Sequence, residues 1–340
     1  MPSSTQSSRS GAHSSRNSAS RLNKLAASIA GVAVVVGGGT MGAGVAAAFL
    51  RSGWHVTVVE ADAASRESLP SRLAGLLDAP VESRIAGLVI HAGLADACWE
   101  GVRFVSENVF EDLAVKRAVF AHVSQLAPRG IPLTSNSSTI AAADIAAGTG
   151  RENAILNVHF LMPAHQVPLV EVVAVAGLDP HIVEQALEVM LAIGKKPLRL
   201  TQALPGFLVN RLQAALMREA LALVDAGVAS ARDVDTAVRH GFGFRYAACG
   251  PILQKEHSGW DVSFKVYQTV FPTLANNAEP PAVLREMLSN NRLGMKTGQG
   301  FVRWTPATMQ VEKVRFNRAM GRAQQVVRDD AAGPPPDWTG

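Results

Sequence analysis

Cysteine is scarce in this 340-residue sequence, which contains only Cys98 and Cys249. The two cysteines form no spacing motif, so we predict no zinc or other metal site. They suggest either a reducing compartment or two cysteines that have no chemical role. Long apolar runs are missing as well, because no uninterrupted stretch reaches the ~18 residues that a transmembrane helix requires. We therefore predict a cytoplasmic protein without a membrane partner. Its length allows two domains with a large core.

Acidic residues are absent from the first thirty positions, which hold four basic residues, Arg9, Arg16, Arg21 and Lys24. Subtracting these four from the formal net charge of +4 leaves the rest of the chain near zero, without the clustered basic residues that nucleic acid requires. Nine serines between positions 3 and 20 cannot bury a core, so we predict that residues 1–30 form a disordered extension. A start codon assigned too early and an organelle transit peptide are the alternatives.

A glycine-rich turn follows the first predicted strand, Val32 to Val36. Gly37, Gly39 and Gly42 form the pattern G-x-G-x-x-G. The first glycine allows a tight turn, the second lets a pyrophosphate approach the backbone, and the third lets the next helix pack closely on the strand. That helix is predicted from Thr40 to about Ser52, with its N-terminal amides near the phosphates. The predicted cofactor-binding residues of this turn are Gly37, Gly38, Gly39, Thr40, Met41 and Gly42.

A carboxylate ends the next predicted strand, "HVTVVE", at Glu60, eighteen residues after Gly42. A carboxylate at this place can accept hydrogen bonds from the adenosine ribose and repels a 2′-phosphate, so it favours NAD over NADP. Strand, turn, helix and acid in this order predict a binding site for a dinucleotide, with NAD as the cofactor. FAD, or a glycine-rich turn that binds nothing, is the alternative.

Predicted strands and helices alternate up to about residue 200. Further strands are predicted at 102–109, 131–138, 154–160, 167–174 and 197–200, with helices at 111–127 and 179–193, whereas residues 63–100 are predicted to be helical. This alternation indicates an α/β fold, a Rossmann-type doubly wound parallel sheet, followed by an all-helical C-terminal domain. We expect an NAD-binding domain at 31–200, a helical substrate and dimerisation domain at 201–326, and a flexible tail at 327–340.

Polar residues gather where the predicted strands end. Ligands of doubly wound sheets bind at the carboxyl ends of the strands, so residues there are candidates for an active site. These ends hold Gly37–Gly42, Glu60, Asn108–Glu111, Asn136–Ser138 and His159.

One imidazole and one carboxylate, His159 and Glu171, stand twelve residues apart on two predicted strands. Pro163 and Pro168 between them disfavour a helix and suggest a bend that brings Glu171 back beside His159. A carboxylate partner fixes the tautomer of an imidazole, as a general base requires. A histidine with only a structural role remains the alternative at this point.

Several ordered motifs across residues 31–305 resemble the 3-hydroxyacyl-CoA dehydrogenase family. The segment "SENVFEDLAVKRAVF" is similar to the family's "IEAVPENLxxKxxxF", "LTSNSST" to its "SNTSS", and "HFLMPAHQVPLVEVV" to its "HFFNPxxxMxLVEVV". "PGFLVNRL", "GVASARDVDTAV" and "GMKTGQGFVRW" also match. The resemblance implies an NAD-dependent oxidoreductase of fatty acid metabolism that forms a homodimer through its helical domain.

The resemblance also implies a role for each matching residue. His159 is the general base, Glu171 pairs with it, and Ser138 and Asn210 form hydrogen bonds with the reacting oxygen. Three residues lie near the ribose and nicotinamide of the cofactor: Glu111, Lys116 and Lys296.

Three departures from the family pattern concern the substrate. Met162 replaces the asparagine of "HFFNP", with His165 as a candidate substitute, and Pro168 replaces a basic residue. Arg245 and Tyr246 replace an apolar stretch, and Arg245 could bind a carboxylate through two hydrogen bonds, unless it is an ordinary surface residue. Here the chain is similar to the branch that oxidises free hydroxy acids, which includes L-gulonate, L-carnitine and pyridine-carboxylate dehydrogenases. A catalytically silent NAD-binding protein like the crystallin of this family is a further alternative.

Overall fold

A computed structural model describes residues 31–77 and 81–329. The extension predicted for residues 1–30 lies outside the described residues. The chain divides into two compact units between Arg211 and Leu212, eleven residues after the boundary expected from the sequence.

The first unit contains an eight-stranded sheet in the order β3-β2-β1-β4-β5-β6-β7-β8. Neighbouring strands are parallel except for β6 and β7, which are antiparallel. The strands are β1 (Val32–Val36), β2 (His55–Val59), β3 (Leu88–His91), β4 (Val102–Glu107), β5 (Leu133–Ser135), β6 (Ile155–Phe160), β7 (Leu169–Val173) and β8 (Lys196–Leu200).

Helices connect these strands and cover the sheet: α1 (Thr40–Arg51), α2 (Ala63–Ala74), α3 (Val81–Ile85), α4 (Leu113–Leu126), α5 (Ala142–Ala146) and α6 (Pro180–Ala192). Alternate residues of a strand face opposite sides of the sheet. Ala33 and Val35 accordingly belong to one buried cluster, with Phe49 and Val158, whereas Val34 belongs to a second buried cluster. The two clusters establish the doubly wound arrangement, with an apolar core on each face of the sheet.

Strand β3 corrects the helical prediction for residues 63–100. The segment "LVIH" pairs in parallel with β2 at the edge of the sheet, and the side chain of Val89 is half exposed. An edge strand that is covered on one side only leaves a weak pattern of period two, so the sequence did not distinguish it from a broken helix.

The second unit is helical. Its helices are α7 (Val209–Asp225, which begins in the first unit), α8 (Ala231–Ala237), α9 (Pro251–Glu256), α10 (Trp260–Val270), α11 (Ala282–Ser289) and α12 (Pro306–Asp329). Helix α12 includes residues 327–329, which we had assigned to the flexible tail. Within residues 31–77 and 81–329, no helix has both the length and the apolar character needed to cross a bilayer.

Candidate functional site

The glycine-rich turn between β1 and α1 leaves space for a phosphate. Gly37 has φ +93°, and a Cβ atom there would lie 2.8 Å from the carbonyl oxygen of Asn108. At Gly42 a Cβ atom would lie 1.7 Å from the carbonyl oxygen of Gly37, so both positions require glycine. A Cβ atom on Gly39 would meet nothing within 4 Å, and no side chain caps the helix that starts after it. The first amides of α1 therefore face an open space that fits a pyrophosphate.

Glu60 is held against this turn. One carboxylate oxygen accepts a hydrogen bond from the backbone amide of Gly38 at 2.6 Å, and the other accepts one from Asp62 at 2.9 Å. The guanidinium of Arg72 donates to the carbonyl oxygen of Gly38 at 2.7 Å. These contacts fix a carboxylate beside the phosphate-binding turn, the arrangement that fits the adenosine ribose of NAD.

His159 and Glu171 occupy directly opposite positions of the antiparallel strands β6 and β7. The Nδ1 atom of His159 lies 2.8 Å from the Oε2 atom of Glu171, and both side chains are buried. An ionised carboxylate can only accept, so the hydrogen of this bond is on Nδ1 and the Nε2 atom is left as an acceptor. The pair thus holds the imidazole in the tautomer that a general base requires.

The other oxygen of Glu171 faces the start of α7. It accepts hydrogen bonds from the amides of Leu208 at 2.9 Å and Val209 at 3.0 Å. Amides at the start of a helix stabilise a carboxylate, so α7 compensates part of the cost of burying this charge. The preceding residue, Phe207, has φ 45° and places its ring 5.5 Å from the ring of His159. The sequence analysis did not single out Phe207, because nothing in a sequence marks a phenylalanine in this backbone conformation.

His159 borders a cavity of about 370 Å³ at the carboxyl ends of the strands. Six predicted site residues line this cavity: Met41, Glu111, Lys116, Ser138, His159 and Asn210. Met162, which replaces the asparagine of the family pattern, lines it as well. Its wall is completed by Asn108, Val109, Asn136, Phe160 and Leu161. Residues from three of the predicted strand ends, 108–111, 136–138 and His159, therefore meet at this cavity with Met41 of the turn, whereas Glu60 does not line it.

Lys116 is part of this wall, is almost fully buried and carries two ion pairs. Its Nζ atom lies 2.8 Å from Glu107 and 3.3 Å from Glu111. Burial raises the pKa of Glu111, but hydrogen bonds from Ser137 and Thr139 and the charge of Lys116 outweigh it and lower the pKa to about 2. Glu111 is consequently ionised at all ordinary pH values. The sequence analysis missed Glu107, although an acid at the end of the apolar strand "VRFVSE" is a detectable signal.

Asn136 joins three strand ends. Its side-chain Oδ1 atom accepts from the backbone amide of Phe160 at 2.7 Å, and its Nδ2 atom donates to Oδ1 of Asn108 at 2.8 Å. These bonds fix the end of β6 next to His159.

The loop between β6 and β7, residues 161–168, is anchored through residues that do not line the cavity. Ala164 packs against Gly44 of α1, and Arg51 donates to the carbonyl oxygen of His165 at 3.3 Å. Lys195 donates to the carbonyl oxygens of Ala164 and Val167 at 2.6 and 2.7 Å. His165, the candidate substitute for asparagine, thus lies on the part of the loop that contacts α1. Lys195 was not expected from the sequence.

Two predicted site residues, Arg245 and Lys296, belong to the second unit. Arg245 is exposed in the short 3₁₀ helix Gly243–Ala247, and Lys296 is in the turn between the paired residues Gly294 and Gln299. Their roles remain predictions.

Two family profiles match the chain. The profile described as the NAD binding domain of 3-hydroxyacyl-CoA dehydrogenase matches residues 32–203, and that of the C-terminal domain of 3-hydroxyacyl-CoA dehydrogenase matches residues 206–304.

Individual proteins are similar over most of the chain. The 5-formyl-3-hydroxy-2-methylpyridine 4-carboxylate 5-dehydrogenase of Mesorhizobium japonicum is 29% identical over 83% of this chain and 94% of its own length. The 3-hydroxyadipyl-CoA dehydrogenase of Escherichia coli is 34% identical over 79% of this chain, which spans 58% of that longer protein. A solved structure of the former type of enzyme, described as an NAD⁺-dependent dismutase, has a TM-score of 0.81 at 26% identity and covers 87% of this chain and 98% of its own.

Replacing Lys195 with Met should remove a rise in stability at alkaline pH. Burial, together with the nearby charge of Arg51, lowers the pKa of Lys195 from 10.5 to about 8. Between these two values the unfolded chain binds more protons than the folded one, so stability rises with pH by up to ~3 kcal/mol. The free energy of unfolding in urea, measured from pH 7.5 to 10.5, checks this against Lys196→Met, an exposed neighbour. Parallel curves for the parent and Lys195→Met would contradict it.

Proposed function

The chain belongs to the 3-hydroxyacyl-CoA dehydrogenase family, and we propose that it oxidises a secondary 3-hydroxyl group to a ketone with His159 as the general base. The buried hydrogen bond between His159 and Glu171, at the wall of the cavity, is the observation that carries this proposal. The chain is an NAD-dependent dehydrogenase with an NAD-binding domain. NAD, when bound, accepts the hydride from the carbon that carries the hydroxyl group.

The proton of the hydroxyl group passes to the Nε2 atom of His159. As the imidazole becomes positively charged, the carboxylate of Glu171 at 2.8 Å stabilises it. The other oxygen of Glu171 accepts hydrogen bonds from two backbone amides at the start of α7, which stabilise the carboxylate. A general base positioned in this way contributes ~10²–10⁴-fold to the rate.

Ser138 and Asn210, both at the cavity wall, orient the reacting oxygen. Two hydrogen-bond donors on different elements restrict the oxygen to one side of His159. This lowers the entropic part of the activation barrier that comes from orienting the substrate. On the cofactor side, Gly37–Gly42 receive the pyrophosphate, Glu60 the adenosine ribose, and Glu111 and Lys116 the region of the nicotinamide ribose. Lys296 of the second unit is proposed as a further contact to the cofactor.

The acyl group of the substrate is proposed to be a CoA thioester, which would place the reaction in fatty acid metabolism. A free hydroxy acid or aromatic carboxylate is the second candidate, supported by the similarity to the pyridine-carboxylate dehydrogenase over 83% of the chain. Among the residues that line the cavity, Lys116 is the one lysine or arginine, and Glu107 and Glu111 already neutralise it. A free carboxylate would therefore need another cation, for which we propose Arg245.

The second unit is proposed to form a homodimer. Helix α7 has no buried residue, and its apolar residues Leu212 and Leu216 are 59% and 43% exposed. Large apolar side chains of other helices, including Trp260, Phe264 and Phe271, are exposed too. A monomer rarely exposes so many apolar residues, and we propose that a second copy of the chain buries this apolar surface.

A cytoplasmic location is the last part of the proposal. Cys98 and Cys249 are not bonded to each other, as expected in a reducing compartment. Fractionation of the source cells with an antibody tests it, and recovery in an organelle or outside the cell would refute it.

Replacing His159 with Gln should lower turnover by ~10²–10⁴-fold and leave the affinity for NADH nearly unchanged, because glutamine fills the place but accepts no proton. Initial rates and NADH fluorescence titration measure the two effects. His122→Gln, an exposed histidine on α4, serves as the control. Unchanged turnover in His159→Gln would refute the general-base role.

Acetoacetyl-CoA should be reduced rapidly when NADH absorbance is followed with the purified protein. Arg245→Ala should then behave like the parent. If NADH binds but acetoacetyl-CoA is not reduced, a panel of free hydroxy acids and aromatic hydroxy carboxylates with NAD⁺ tests the second candidate, in which Arg245→Ala raises KM at least ~10-fold. Binding of NADH without activity on either panel would support the silent, crystallin-like alternative.

Sedimentation of the full chain should show a dimer at micromolar concentration. Replacing Leu212 and Leu216 with Gln should shift the equilibrium toward monomer, since it removes exposed apolar surface that we expect at the interface. A parent protein that sediments as a monomer would contradict this proposal.

A further inference from the structure

A closed ring of polar contacts surrounds the carboxyl ends of β4 and β5. Glu107 accepts from Ser135 Oγ at 2.6 Å, and Ser135 Oγ accepts from the amide of Ser137 at 3.2 Å. Ser137 Oγ donates to Glu111 at 2.5 Å, and Lys116 bridges Glu111 at 3.3 Å back to Glu107 at 2.8 Å. Glu107 also accepts from the amide of Val109 at 2.7 Å. The ring therefore links two strand ends, α4 and the loop after β5.

The ring holds the loop that carries Ser138. One oxygen of Glu111 accepts from Ser137 Oγ, from the amides of Ser138 and Thr139 at 3.1 and 3.0 Å, and from Thr139 Oγ1 at 2.8 Å. The other oxygen of Glu111 is held by Lys116. Three consecutive residues thus depend on the position of one carboxylate, and that carboxylate depends on one ammonium group.

Glu107 is a fully buried member of the ring that contacts both Ser135 and Lys116. It has no exposed surface, and Lys116 is 1% exposed. Without Glu107 the almost fully buried ammonium group would lose its nearer carboxylate, and Ser135 would lose its acceptor. The ammonium group would then move toward Glu111, which would shift the loop at Ser137–Thr139.

A buried ion pair with only a structural role is the competing interpretation. It predicts a loss of stability without a specific effect at the cavity. The contacts argue against it, since the links of the ring converge on Ser137–Thr139, and Ser138 is the member of that loop that lines the cavity.

We propose that Glu107 is a positioning residue, which places Ser138 for the reacting oxygen through Ser135 on one side and through Lys116 and Glu111 on the other. The proposal rests on the role of Ser138 in the proposed function. The effect of Glu107 on the position of the loop at 137–139 does not depend on that role and can be measured separately.

The test compares Glu107→Gln with a matched control, Thr134→Val. Thr134 is also buried between β4 and β5, where its hydroxyl donates to the carbonyl oxygen of Val105 at 2.7 Å, but it is not part of the ring. In Glu107→Gln we expect faster hydrogen exchange at the amides of Ser138 and Thr139 and a ~10–100-fold lower kcat/KM, mainly through kcat. In Thr134→Val we expect a lower melting temperature with unchanged exchange at these amides and unchanged kcat/KM.

A double-mutant cycle separates this inference from the proposed function. If Glu107 acts through Ser138, then Ser138→Ala costs much less in the Glu107→Gln protein than in the parent. Strictly additive effects with unchanged exchange at 137–139 would overturn the inference. If Ser138→Ala is harmless in the parent, the proposed role of Ser138 fails, and the exchange measurement alone decides whether Glu107 holds the loop.

Ser135→Ala provides a second variant if Glu107→Gln does not fold. It opens the ring between Glu107 and Ser137 while all three charges stay in place. Faster exchange at 137–139 with a lower kcat supports the inference, and parent-like values for both overturn it.

Discussion

The reversal of chain direction between β6 and β7 is the constraint on which the site depends. Because these two strands are the antiparallel pair in a sheet whose other neighbouring strands are parallel, His159 and Glu171 occupy opposite positions and meet at 2.8 Å. A one-residue shift of the register would turn one of the two side chains to the other face. The same reversal brings Glu171 to the start of α7, where Leu208 and Val209 donate to it. One strand pairing therefore fixes the tautomer of the base and the environment of its partner.

The sequence predicted those parts of the site that depend on local pattern. The strand, glycine turn, helix and Glu60 follow within about thirty residues, and each has a local physical reason. The meeting of His159 and Glu171 could also be predicted, because two prolines require the chain to bend between two apolar segments. Strand β3 was missed, since a half-exposed edge strand has little periodic signal.

Other contacts of the site depend on packing, so a local pattern can mark a residue such as Glu107 but not its partner. Glu107 lies nine residues before Lys116, but their contact depends on how α4 returns along β4. Phe207 and Gly206 both have a positive φ in the turn before α7, where the amide of Gly206 donates to the carbonyl oxygen of Ser138. The sequence places Asn136 at a polar strand end, but its bonds to Asn108 and Phe160 depend on the order of three strands.

Two buried lysines support the two loops beside the cavity in different ways. Lys116 is paired with two carboxylates, so its charge is compensated inside the protein. Lys195 donates to two neutral carbonyl oxygens, and burial with the nearby Arg51 lowers its pKa to about 8. A neutral acceptor compensates a buried charge less well than a carboxylate does, so Lys195 costs stability near neutral pH. An apolar residue would fill the same place at a lower cost, but it would leave the carbonyl oxygens of Ala164 and Val167 without a donor. We infer that Lys195 lowers stability but fixes the loop that carries Met162 and connects His159 to Glu171.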